Sequence, residues 1–273
     1  MSSSLPGLPP RVLVVAGPTA SGKSALAVEL ALALGGEVVG ADSRQVYRQL
    51  DVGTAKPTRA ERDLVPHHLV DVVDPDEAWD AASWREAALT ALAGVHARGK
   101  LPIVCGGTGL YLRSLERGLF EGPPASPGLR ARLEAEEAAR PGTLHARLGA
   151  CDPASAARLH PNDVVRLVRA LEVLEVTGRA LSEWIADHGL DERPFEVLVL
   201  EVDVPRDELA ARILARSRGM VEQGIVEETA DLLRRGYHAG LRSLDTIGYH
   251  EALACLRGEI RRADLAAAIA QAT

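Results

Sequence analysis

Residues 11–24 read RVLVVAGPTASGKS. Arg11–Ala16 is a short apolar run rich in Val that stops at Gly-Pro, the pattern of a buried strand. Gly17-Pro18-Thr19-Ala20-Ser21-Gly22-Lys23-Ser24 fits G-x-x-x-x-G-K-[ST]. It stands where that pattern has meaning, after a strand and at the opening of a helix. Glycines there let backbone N–H groups converge on a polyphosphate, and the helix N-terminus adds favourable partial charge. Lys23 is expected to reach the outer phosphates and Ser24 to ligate Mg²⁺. The motif specifies a polyphosphate or a pyrophosphate without saying which.

The flanking sequence alternates strand and helix. Apolar residues at helical spacing run through Gly22–Leu34 and stop at Gly35-Gly36. Glu37–Ala41 (EVVGA), His68–Val73 (HLVDVV) and Leu101–Cys105 (LPIVC) read as further strands, with an amphipathic helix over Ala81–Arg98 before the last. This alternation predicts an α/β fold, a P-loop NTPase-like parallel sheet with helices on both faces. From Phe120 to Arg193 no strand is legible. Glu121–Gly128 has the composition of a linker. Helical stretches follow at Leu129–Arg140, Thr143–Leu148, Pro153–Leu159 and Asp163–Val176. Phe195–Val202 (FEVLVLEV) reads as one more strand of the first sheet, and Arg206 to Thr273 as helical. The expected organisation is a discontinuous catalytic core, 1–119 and 194–273, carrying an inserted all-helical domain over 120–193. Asp264 reads as the N-cap of a last helix, and Leu265–Ala272 then reaches Thr273 without a closing cap, as a helix cut midway would.

Composition narrows the class. At 273 residues the chain makes one large domain or two modest ones, and 47% apolar with 25% charged residues is globular rather than disordered or coiled. No apolar stretch is long enough for a membrane helix, and Met1–Pro10 lacks the apolar core of a signal peptide. Cys105, Cys151 and Cys255 are scattered, which argues against a disulfide framework or a zinc site and fits a reducing cytoplasm. A net charge of −7 weighs against coating nucleic acid by bulk charge but leaves room for a local basic groove. Only Lys23, Lys56 and Lys100 are lysines, and the first two fall in motifs. His67 and His68 have no metal-ligand partners along the sequence, and His160, ahead of Pro161-Asn162-Asp163, is expected to help cap the helix that follows.

An NTPase usually carries a second strand that ends in Asp or Glu, which holds Mg²⁺ and helps organise water. Here LPIVC runs into Gly106-Gly107-Thr108. The strand-end carboxylate with a suggestive setting is Asp42, in ADSRQVY (41–47). Strand C-termini line the crevice of an open α/β sheet, so Asp42 and Thr108 are expected at the phosphate loop. Asp42 suits three roles: a proton acceptor, a Mg²⁺ ligand, or the cap of the following turn.

GPTASGKS, ADSRQVY (41–47), DVGTAKP (51–57), PHHLVDVVDP (66–75) and GGTGLY (106–111) occur in that order. With LHPNDVVRLVRALEVLEVTG (159–178), RILARSRGMVEQG (212–224) and IGYHEAL (247–253), the chain resembles the tRNA dimethylallyltransferases over nearly its whole length. The resemblance implies transfer of a dimethylallyl group from dimethylallyl pyrophosphate to N6 of adenine 37, beside the anticodon. Pyrophosphate is then the leaving group held by the phosphate loop, and no water needs activating. By the same resemblance Asp42 is the general base, and Thr108 and Arg216 meet pyrophosphate oxygens. A helix cap for Thr108 and a surface salt bridge for Arg216 are the structural alternatives. Ser43 and Gln45 match positions near a flipped adenine, and Lys56 matches a loop facing tRNA. The inserted domain corresponds to the part that grips the anticodon stem-loop. Arg166 and Arg169 are its candidate contacts, although an i, i+3 pair between Arg169 and Glu172 on a solvated face explains that arginine as well. The family continues past this end with a basic, aromatic-containing helix. A monomer working in the cytoplasm with Mg²⁺ is expected. The rival readings are a P-loop nucleotide or small-molecule kinase, a prenyltransferase for free adenine nucleotides, and an RNA-binding protein with a relict phosphate loop.

Overall fold

In the computed structural model, which describes residues 10–120, 122–189 and 192–273, five parallel strands form one sheet. They are β1 (Arg11–Ala16), β2 (Gly36–Gly40), β3 (His67–His68), β4 (Leu101–Cys105) and β5 (Glu196–Glu201), in the order β3-β2-β4-β1-β5. Alternation along β1 sorts its side chains between two layers. Val12 and Val14 pack with Val39, Val104, Trp84, Leu92, Tyr111 and Leu115. Leu13 and Val15 pack with Val38, Ile103, Ala27 and Ala31. The first layer is closed by α3 (Ala81–Ala97) and α4 (Gly109–Arg117), the second by α1 (Lys23–Leu34). Helices therefore cover both faces, as the strand–helix alternation predicts. On the first face Trp84 stacks on Tyr111 at 4.6 Å between ring centroids, and its indole N–H donates to the Gly40 carbonyl at 2.8 Å.

The third strand is much shorter than its apolar run suggests. Leu69 and Asp71 take positive φ, 59° and 58°, so extended pairing stops after His68. The chain instead wraps the turn that follows β2: the N–H groups of Asp71 and Val72 donate to Gln45 and Val46. Between these segments, α2 (Arg59–Leu64) opens on a capping box between Thr58 and Glu61. The last strand extends the sheet as expected, paired along its whole length with β1. Leu198 and Val199 on it remain exposed.

The chain divides into two compact units, one formed by the residues up to Glu116 together with Pro194–Thr273, the other by Arg117–Arg193. The division falls at the end of α4, a little before the expected 119/120 boundary. Glu121 of the linker, like Met1–Pro9, lies outside the described residues. The second unit contains α5 (Pro127–Ala139), α6 (Thr143–Cys151), α7 (Pro153–Ala156), α8 (Val164–Thr177) and α9 (Leu181–His188), with no strand among its described residues. Its core is Leu133, Leu144, Leu148, Leu167, Val168 and Leu171. Within it Glu172 is 0% exposed and is met by Arg130 and Arg169. The pair between Arg169 and Glu172 therefore exists, but buried rather than on a solvated face.

In the first unit, β5 leads to α10 (Arg206–Glu222), α11 (Ile225–Arg234), α12 (Tyr249–Leu256) and α13 (Leu265–Ala272). The side chain of Asp264 does not cap α13; it is paired with Arg261 at 2.6 Å.

Candidate active site

The loops after β1, β2 and β4 meet at the strand C-termini, where an open α/β sheet places its ligands. Gly17–Gly22 form the turn between β1 and α1. Gly22 caps α1 without a side chain, and no acidic residue stands in the first turn. The helix N–H groups there are left for an anion. Lys23 folds back over this turn, its ammonium donating to the Pro18 carbonyl at 3.1 Å.

The ends of β2 and β4 are stitched together. The N–H of Thr108 donates to the Ala41 carbonyl, and that of Ala41 to the Cys105 carbonyl. Gly106 has to be glycine, because a Cβ there would lie 2.1 Å from the Ala41 carbonyl oxygen. The hydroxyl of Thr108 accepts the Ser43 N–H at 3.2 Å. The carbonyl of Thr108, not its side chain, receives the first bonds of α4. Asp42 Oδ1 accepts the N–H groups of Arg44 and Gln45, at 2.8 and 3.3 Å. The cap role weighed for Asp42 is thus real, and it occupies one carboxylate oxygen.

A cleft is lined by Thr19, Lys23, Ser24, Asp42, Gln45 and Arg216, with Val38, Gly40, Ala55, Pro57, His67, Val70, Cys105 and Gly106. A neighbouring chamber shares Thr19, Asp42 and Arg216 and adds Arg44, Gly53, Thr54, Ile213, Met220, Thr246 and Ile247 among its walls. Asp42 and Arg216 therefore stand where the two chambers meet.

The electrostatics of this junction favour an anion. Burial lowers the pKa of Lys23, and the nearby Arg216 pushes it the same way, against Cys105 and Asp42. Burial also lowers the pKa of Arg216, opposed by Asp42. Among the described residues, the buried Arg216 Nε has no hydrogen-bond partner, and Nη2 reaches only the Thr54 carbonyl at 3.4 Å. Two desolvated cations share one carboxylate, so the cleft carries an unbalanced positive charge that a bound anion relieves. The surface salt bridge considered for Arg216 is absent among the described residues.

The chain matches the IPP transferase family model over residues 45–273 and the isopentenyl transferase model over residues 10–67. It is 54% identical to a tRNA dimethylallyltransferase of Anaeromyxobacter dehalogenans, over 92% of this chain and 82% of the relative. The chain belongs to the tRNA dimethylallyltransferase family. It is 49% identical to the enzyme of that name from Sorangium cellulosum, over 98% of this chain and 85% of the relative. The crystal structure of the tRNA isopentenylpyrophosphate transferase of Bacillus halodurans superposes with a TM-score of 0.67 at 36% identity, covering 96% and 82% of the two chains. A eukaryotic dimethylallyltransferase, solved acting on tRNA, superposes with a TM-score of 0.80 at 29% identity, covering 96% of this chain and 67% of that one.

Not every residue that the dimethylallyltransferase resemblance singles out is free to act as expected. Lys56 is turned inward, its side chain 3% exposed. Its ammonium donates to the Tyr47 carbonyl, Asp51 and Asp71 at 2.6 to 2.7 Å. All three donors are spent, so Lys56 is a strut of its loop and not a phosphate contact. Gln45 commits both amide donations to the Thr54 and Ala55 carbonyls, each at 3.1 Å. That leaves its Oε1 as the group able to meet a base. In the helical unit of this family member, Arg166 is exposed and pairs with Asp163, the cap of its own helix. Arg169 is committed to the buried Glu172 at 2.6 Å and to the Pro123 carbonyl at 3.0 Å.

Several cleft residues escaped the sequence reading. Val38 stands beside His67 in the sheet register, and neighbours across parallel strands point to the same face. His67 therefore joins Val38 on the floor. Its ring Nδ1 lies 2.7 Å from the Val65 carbonyl. A carbonyl only accepts, so Nδ1 carries the proton, and burial lowers the pKa of the ring. No motif exposes this placement, because it depends on which strand lies beside β2. Cys105 on the same floor is pushed up to about 11 by burial. It is an unreactive thiol in the cleft wall.

Proposed function

We propose that this chain transfers a dimethylallyl group from dimethylallyl pyrophosphate to N6 of adenine 37 in tRNA, releasing pyrophosphate. The observation that carries the reading is the junction of Lys23, Arg216 and Asp42, two desolvated cations and one carboxylate in a shared cleft. The first chamber takes the donor and the second takes the adenine. The N6 lone pair attacks C1 of the donor, and the C1–O bond breaks with its electron pair leaving on pyrophosphate. The proton released from N6 passes to Asp42. The exocyclic amine is a poor nucleophile, so proton removal and alignment both lower the barrier.

Charge builds on the leaving pyrophosphate. Lys23, Arg216 and the N–H groups at the start of α1 stabilise it where it develops. The Thr108 hydroxyl accepts from Ser43 and keeps its own proton for a phosphate oxygen. Among the described residues no group of three or more His, Cys, Asp or Glu is arranged to hold a metal. That fits Mg²⁺, which binds through substrate phosphates and one or two protein oxygens rather than an all-protein cage. Ser24 would supply one of those oxygens, and the ion would help neutralise the leaving group. We assign the anticodon stem-loop to the helical unit, with Arg166 as its candidate contact. No described helix is long and apolar enough to cross a membrane.

An unmodified tRNA transcript with adenine at 36, 37 and 38, incubated with the protein, Mg²⁺ and dimethylallyl pyrophosphate, tests the reading by nucleoside mass spectrometry. Dimethylallyl-adenosine at position 37 is the expected product. ATP turnover without prenylation would replace this reading with a kinase.

A further inference from the structure

Among the described residues Arg216 reaches a single acceptor, the Thr54 carbonyl at 3.4 Å. The same carbonyl accepts from Gln45 at 3.1 Å. The position of one peptide thus sets two side chains at the junction of the chambers. That peptide belongs to the turn 50–56, and a pair of side chains from the C-terminal helices, buried Tyr249 and half-buried Glu228, holds the turn. Glu228 on α11 accepts the N–H groups of Asp51 at 3.2 Å and of Val52 at 3.0 Å. Tyr249 on α12, 0% exposed, donates its hydroxyl to Glu228 at 2.5 Å and accepts the Gly53 N–H at 3.2 Å. Gly53 leaves no slack, since a Cβ there would lie 2.4 Å from the Tyr249 ring. Three consecutive N–H groups, 51 to 53, therefore end on one Tyr–Glu clasp directly ahead of Thr54.

We propose that Tyr249 and Glu228 are positioning residues for the pyrophosphate arginine: their clasp on residues 51–53 places the Thr54 carbonyl that aims Arg216 into the cleft. This rests on the reading of the cleft as a pyrophosphate site. The clasp acts because the guanidinium is otherwise loosely held. Its Nε has no partner, and its long bond to Thr54 is the tether that sets its direction. The ring of Tyr249 packs with Val46, Leu50, Leu244 and Leu253, so removing only the hydroxyl spares that core. Burial and the neighbouring carboxylate push the phenol far above its ordinary pKa. It stays protonated and donating at every working pH.

A double-mutant cycle on inorganic pyrophosphate affinity, read by calorimetry in Mg²⁺ with thermal midpoints in parallel, tests this. Tyr249→Phe is expected to weaken pyrophosphate about tenfold, the scale of one charge-assisted hydrogen bond. In the Arg216→Ala background it is expected to change the affinity little, while the thermal midpoint drops equally in both backgrounds. Glu228→Gln, which keeps an acceptor for the backbone, is expected to give the same pattern at smaller amplitude. It serves as the probe if Tyr249→Phe fails to fold. An affinity unchanged by both variants, or a loss of equal size with and without Arg216, would overturn the proposal. Wild-type protein that binds no pyrophosphate would instead overturn the pyrophosphate reading, and the clasp's role with it.

Discussion

The hydroxyl oxygen of Thr108 accepts the backbone N–H of Ser43 at 3.2 Å. The bond ties the end of β4 to the turn after β2, and it uses a lone pair rather than the proton. Thr108 is thereby held with its O–H free to donate. Thr108→Ala is expected to lower kcat about tenfold or more, since the proposed mechanism then loses one donor to the leaving pyrophosphate. Thr108→Ser should retain most activity. Steady-state kinetics with saturating tRNA separate the two, and a Ser variant as slow as Ala would show that the methyl group, not the hydroxyl, matters.

Asp42 combines two tasks that one substitution can separate. Asp42→Asn keeps an Oδ1 acceptor for the N–H groups of Arg44 and Gln45 but cannot take a proton. Its rate is expected to fall by about 10²–10⁴ with the thermal midpoint nearly unchanged. Asp42→Ala should lose both rate and midpoint, because the turn loses its cap as well. An Asn variant with wild-type turnover would remove the base assignment.

Lys56 separates a structural role from an RNA contact. Lys56→Met strands Asp51 and Asp71 around a site that has lost its cation, and a loss of about 3 kcal/mol in unfolding free energy is expected. Arg62 remains on Asp71 and limits the damage. The salt dependence of tRNA affinity should not change. A slope reduced by about one would instead mark a lost phosphate contact and restore the RNA role.

Acid should loosen the helical unit through Glu172. Burial alone would raise its pKa, but Arg130, the Ser126 N–H and Arg169 outweigh burial and hold it at about 2, against an ordinary 4.5. A depressed carboxyl stabilises fully above its unfolded value and loses that contribution as pH falls towards 2. The window is therefore roughly pH 4.5 to 2, and the contribution is on the order of 3 kcal/mol. Glu172→Gln should lower stability at pH 7 and flatten part of the decline in that window. Glu137 and Asp152 in the same unit, whose carboxyls are lowered by backbone and side-chain hydrogen bonds, and Glu37 in the other, which Arg98 holds at about 2, contribute to the remainder. Urea unfolding at pH 7 and pH 3 measures both effects.

Much of this molecule was legible along the chain. The strand–loop–helix over 11–24 implied the parallel sheet and the anion cradle, since period-2 and helical spacing and glycine placement are local properties. Asp42, Thr108 and Lys23 could be placed together because strand C-termini share one edge of such a sheet. Only the tertiary structure decided what each group has left to give. Lys56 sits in a motif as good as that of Lys23, yet its charge is spent on Asp51 and Asp71, while Lys23 faces the cleft. Arg169 is consumed by Glu172, and Arg216 is left with one long bond. The floor position of His67 follows from β3 lying beside β2, and the bond from the Gly53 N–H to the Tyr249 hydroxyl joins residues nearly 200 positions apart. Residue type and spacing determine which groups can bind an anion or move a proton. Whether they are free to do so depends on the partners that packing brings within reach: the i, i+3 pair of Arg169 and Glu172 lies in a local pattern, but its burial, and the tether of Arg216 on Thr54, do not.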